Sequence, residues 1–140
     1  MQKLLILTGL MLLVACSAGV KKPAQVTQAI KGSDLGIVPV ALRLTANETM
    51  LDLRYKVTDA ERAASLLDRR KDVYLLHEAS GKVFSVPVMA KLGPMRQITQ
   101  SPKPGKTYFV LFSNTGKLIK AGDLATLVLG DLRLQHLVVE

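Results

Sequence analysis

Between residues 79 and 122 the chain carries seven cationic side chains, Lys82, Lys91, Arg96, Lys103, Lys106, Lys117 and Lys120, and no Asp or Glu. Outside that stretch and the first fifteen residues, bases and acids balance at 11 each, so one third of the sequence holds the whole cationic excess. Concentrated charge of one sign raises the local concentration of ligands of the other, here phosphates, carboxylates or acidic polymers. Lys91, Arg96, Lys103 and Lys106 fall in a long connection, 89–106, punctuated by Gly93-Pro94, Pro102, Pro104 and Gly105. Unstructured connections of that length are uncommon in compact domains unless they work or move. These four are therefore the expected anion- or partner-binding residues.

A second chemistry is available to softer atoms. Met89 and Met95 flank Gly93-Pro94, and with an imidazole such as His77 their thioethers would suit Cu(I), so a copper-handling site is the alternative expectation. Against it, His77 falls on a strand face with Val73 and Leu75, and His136 on one with Leu134 and Val138. Both positions suit partly buried structural residues. Catalysis has less to draw on. No Ser or Thr sits in a recognisable motif with a base, and Gly93 and Gly105 are isolated beside prolines rather than forming a phosphate cradle. Asp68 and Asp72 bracket Arg69-Arg70-Lys71 and read as a solvated charge cluster. The expectation is a non-catalytic protein without a cofactor. Aromatic content of 4%, with no Trp, disfavours base-stacking or a carbohydrate platform.

The remaining reactive side chain is the single cysteine, Cys16. Lys3 precedes an apolar run, 4–15, that is too short to span a bilayer and has the form of an export signal. The run closes on Leu13-Val14-Ala15-Cys16, which resembles the lipobox of bacterial lipoproteins. That resemblance implies cleavage before Cys16 and a diacylglycerol on its thiol, hence a membrane partner through the lipid anchor and a place in the cell envelope. Ser17 follows the cysteine where inner-membrane lipoproteins of enterobacteria tend to carry Asp, which implies the periplasmic face of the outer membrane. Export in turn argues against nucleic acid and for an anionic envelope polymer or protein as the partner of the basic stretch.

These residues need a scaffold, and the pattern divides the chain into a signal peptide (1–15), a lipidated cysteine with a flexible tether (16–34) and one domain (35–140). Small and polar residues dominate the tether. Beyond it the dominant period is two. Val38, Val40, Leu42 and Leu44 alternate with Pro39, Ala41 and Arg43, and the proline marks an edge strand. Leu51, Leu53, Tyr55 and Val57 alternate with Asp52, Arg54 and Lys56. Thr58 with Glu61 three residues on forms a capping-box pattern and predicts a helix over 59–67. Strands over 72–78 and 82–88 flank Gly81 as a hairpin. Further strands are expected over Thr107–Ser113, Leu124–Leu129 and 132–139, the first apolar on both faces as a central strand would be. About seven short strands with one connecting helix predict an all-β sandwich resembling the immunoglobulin architecture, without its Cys-Trp-Cys hallmark.

Overall fold

The computed structural model describes residues 29–30 and 32–140; the leader and Cys16 lie outside them. In chain order the elements are β1 (Ala29–Ile30), a 3-10 turn (Gly32–Leu35), β2 (Ile37–Thr45), β3 (Met50–Val57) and α1 (Ala60–Leu67). There follow β4 (Val73–His77), β5 (Val83–Ser85), β6 (Val88–Met89), β7 (Gly93–Pro94), β8 (Thr107–Ser113), β9 (Leu124–Leu129) and β10 (Leu132–Val138). Seven of these strands have three or more residues, as the period-two pattern predicts. β1 and the 3-10 turn fall within the stretch expected to be tether.

Two sheets face each other. One runs β1-β10-β9-β4-β5, the other β2-β3-β8, and β6 and β7 form a small separate ribbon. Residues 95–97 extend the second sheet beyond β8: Leu111 N donates to Met95 O, Gln97 N donates to Phe109 O, and Arg96 bridges Val110. In immunoglobulin lettering, β2, β3, the 95–97 segment and β8 occupy the places of strands A, B, D and E. β4, β5, β9 and β10 occupy those of C, C′, F and G. A parallel bridge between Leu42 and Val139 joins the two sheets along one side.

The alternation read from β3 is fulfilled: Leu51, Leu53, Tyr55 and Val57 are buried while Arg54 and Lys56 are exposed. They meet Tyr108, Val110 and Phe112 of β8 and, from the opposite sheet, Val73, Leu75 and Leu127 in one core. Tyr55 and Tyr108 stack with ring centroids 6.1 Å apart. Side chains of this size each stabilise the fold by about 1.5–3 kcal/mol when fully buried, so the facing rows hold the sheets together. β2 is an edge of its sheet, and its register shifts between Pro39 and Ala41, where proline has no N–H to give the ladder.

Two local expectations are corrected. The helix cap is Asp59, not Thr58: its carboxylate accepts from Glu61 N at 3.0 Å and Arg62 N at 3.2 Å. Thr58 N and Asp59 N both donate to Gly36 O, which holds Thr58 in the incoming chain and starts the helix one residue later. Gly36 has φ +66°, and a Cβ there would stand 2.5 Å from Asp59 O. His136, in turn, does not share an inward face with Leu134. A register shift between Leu134 and Leu137, with His136 at φ +61°, turns the imidazole out to solvent and sends Leu137 into the core.

Candidate functional site

The expected basic surface is divided by the strand that runs through it. Near the start of β8, Gly105 at φ +82° closes a turn in which Gly105 N donates to Val57 O and Val57 N donates to Lys106 O. Lys103 and Lys106 are exposed there, the Lys106 ammonium 5.5 Å from the Tyr108 ring centroid. Lys117 and Lys120 follow the other end of β8, about 20 Å away at the rise of a strand. Lys120 Nζ lies 3.0 Å from Glu48 Oε2, while Lys82 belongs to the β4–β5 turn on that same side. Lys91 is exposed between β6 and β7. The seven cations therefore do not form one surface.

Arg96 is the larger correction, because it is buried. Its Nη2 donates to the carbonyl oxygens of Lys71 (2.7 Å), Asp68 (3.0 Å) and Arg69 (3.3 Å). They belong to the C-cap residue of α1 and to the turn that follows it, so one guanidinium binds the turn together while opposing the negative end of the helix dipole. Burial lowers the Arg96 pKa, against which Tyr55, Asp72 and Asp68 act to raise it. The side chain shapes the loop that leads from α1 to β4 and is not free to meet a partner in its place.

That loop carries the cations that sequence reasoning passed over. Arg70 pairs with Asp68 at 3.0 Å, and its side chain and amide both donate to the Asp68 carboxylate, holding that group down to about 2. Arg69 and Lys71 are exposed and have no carboxylate within ion-pair distance among the described residues. Two concavities adjoin them. One, of about 630 Å³, lies between α1 and residues 98–100 and is lined by Leu67, Arg69, Arg70 and Ile98. The other, of about 580 Å³, runs along β5 towards the β6–β7 ribbon and is lined by Arg69, Lys71, Val83, Val88 and Pro94. Arg69 borders both. The Arg69-Arg70-Lys71 run was visible in the sequence, but its symmetric bracketing by Asp68 and Asp72 gave no sign that only Arg70 would be paired.

The residues of the copper alternative are not offered together. His77 is buried, its Nδ1 is 2.8 Å from Ser80 Oγ, and its Nε2 faces Asp123 Oδ2 at 3.3 Å. Both ring nitrogens are thus turned to the β4–β5 turn and the start of β9. Met95, half-buried, pairs through its backbone with Pro87 and Leu111, and Met89 is exposed on β6. Among the described residues no cluster of three His, Cys, Asp or Glu could hold a metal. No described helix is long and apolar enough to cross a membrane. Comparison with protein-family models, curated proteins and solved structures gave no significant match.

Proposed function

We propose that this chain is a non-catalytic envelope lipoprotein, anchored through Cys16 at the periplasmic face of the outer membrane, whose sandwich holds an anionic partner beside the loop from α1 to β4. The observation that carries the reading is the pair of exposed cations outside any salt bridge among the described residues, Arg69 bordering both concavities and Lys71 the one along β5. Lys91 adds a further positive charge on the neighbouring ribbon connection, and Lys103 and Lys106 add two near the start of β8. The lipobox-like Leu13-Val14-Ala15-Cys16 and the small, polar stretch after it support the anchor.

The test is a pull-down from detergent-solubilised membranes with the mature chain as bait. Binding should weaken steeply above physiological ionic strength, where screening shortens to about 8 Å. It should be lost when Arg69, Lys71 and Lys91 are changed together to Gln, and be kept when Lys82 and Lys117 are. Retention by the first variant overturns the site. The anchor is checked separately: Cys16→Ala should leave an unprocessed precursor or release the domain, and intact mass of the membrane-bound form should show acyl chains on Cys16. An unmodified Cys16 there overturns the localisation.

A further inference from the structure

We propose that the outer edge of β5 receives an extended acidic peptide as an added strand, a reading that rests on the anionic partner proposed above and names its chemistry. β5 ends its sheet and pairs only with β4. His77 N donates to Lys82 O, which makes these two a hydrogen-bonded pair. By the alternation of an antiparallel ladder, the peptide groups of Val83 and Ser85 then point away from β4. No described residue bonds to them. Natural sheets shorten, cover, charge or break such an edge; this one is short, with Lys82 before it and Pro87 after it, but Val83-Phe84-Ser85 itself carries no charge and no proline.

What lies beside the edge selects the ligand. Val83, Val88 and Leu92 are exposed at 59%, 75% and 79%, and Val83, Ser85, Val86, Val88 and Pro94 line the 580 Å³ concavity. Alternate side chains of an added strand would settle there, backbone hydrogen bonds supplying affinity and the concavity selecting small branched residues. Tyr74 pairs with Ser85, so the Ser85 end of the edge lies beside the 69–73 segment, where Arg69 and Lys71 wait unpaired. Arg96 lines the same concavity but stays committed to the Asp68, Arg69 and Lys71 carbonyls, so it adds positive charge there without itself reaching a ligand. A single carboxylate, Asp72, opposes these three cations in the lining. Acidic residues therefore belong at the Ser85 end of the incoming segment.

The experiment measures anisotropy of a labelled, end-capped peptide, Asp-Glu-Val-Thr-Val-Thr, titrated with the full chain in detergent. Saturable binding is expected, weakened at least tenfold by Ser85→Pro, which removes an outward N–H, and by Arg69→Gln with Lys71→Gln, but unchanged by Lys82→Gln. Val88→Asp, at an exposed position outside the β4–β5 ladder, should weaken it similarly if Ser85→Pro does not fold. Hydrogen exchange at Val83 and Ser85 should slow in the complex. Binding that survives both Ser85→Pro and Val88→Asp yet fails without Arg69 and Lys71 overturns strand addition and leaves the anionic site standing. Failure of the peptide while inorganic polyphosphate or anionic lipid vesicles bind does the same. If none of the three probes binds, both readings fall, and concentration-dependent dimerisation through β5 overturns the proposal in favour of a second copy.

Discussion

At the scale of single residues, two buried polar side chains, Asn114 and Arg96, tie loops to the apolar core. Asn114 is fully buried; its Nδ2 donates to Glu48 O and Ile119 O, and its Oδ1 accepts from Ile119 N. It ties the β2–β3 turn, where Ala46, Asn47 and Glu48 all have positive φ, to the turn after β8. Asn114→Ala should cost about 2–3 kcal/mol, because each buried group left unsatisfied costs about 1–3 kcal/mol. The shift of the urea midpoint measures it. Arg96→Ala removes the donor that gathers the Asp68, Arg69 and Lys71 carbonyls and empties a buried position, and should cost about 3 kcal/mol. Arg96→Lys should recover only part, since an ammonium lacks the planar fork. Neither role could be read from the sequence. Arg96 stands in a basic stretch among lysines that are exposed, and what separates it from them is contact with residues 25 to 28 positions earlier.

Elements were more legible, because alternation and turn chemistry are local. Val73, Leu75 and Gly81 foretell the β4–β5 hairpin, and Gly81 takes φ +68° as its turn requires. What the pattern missed was set from a distance. The helix cap moved because a glycine carbonyl from another part of the chain captured the Thr58 amide. Asp59→Ala should therefore cost about 1 kcal/mol, the usual worth of a cap, while Thr58→Ala should leave the urea midpoint nearly unchanged. Gly36→Ala should be far worse than either. Its φ is left-handed and the new Cβ would press on Asp59 O and Arg62 Cβ, so a loss of about 3 kcal/mol is expected from strain and overlap together. The outward turn of His136 was hidden in the same way, since nothing in Leu134-Gln135-His136-Leu137 announces the extra residue of a bulge.

For the whole molecule, three acid-side contacts link stability to pH, the first of them that of Lys120, which lowers the Glu48 carboxyl. Arg70 holds the Asp68 carboxyl near 2. Burial pushes Glu78 up, but the His136 amide, the Thr126 hydroxyl and the His136 imidazole outweigh it and bring that carboxyl below its ordinary value of 4.5. A carboxyl with a lowered folded value stabilises fully above its unfolded value and loses that contribution as pH falls through the folded one. Stability should accordingly hold at neutral pH and decline from about pH 4 towards 2, with a shallower decline in Glu78→Gln, as urea midpoints across that range would show. The sheet also fixes where the chain enters the domain. Ala29, Arg133, Val128, Tyr74 and Ser85 lie in one register row across five strands, so the chain enters the fold level with the Ser85 end of β5. A pull on the preceding chain would therefore bear first on the parallel β1–β10 pair, at the edge of the sheet opposite β5, and reach the β5 edge only through the whole width of the sheet.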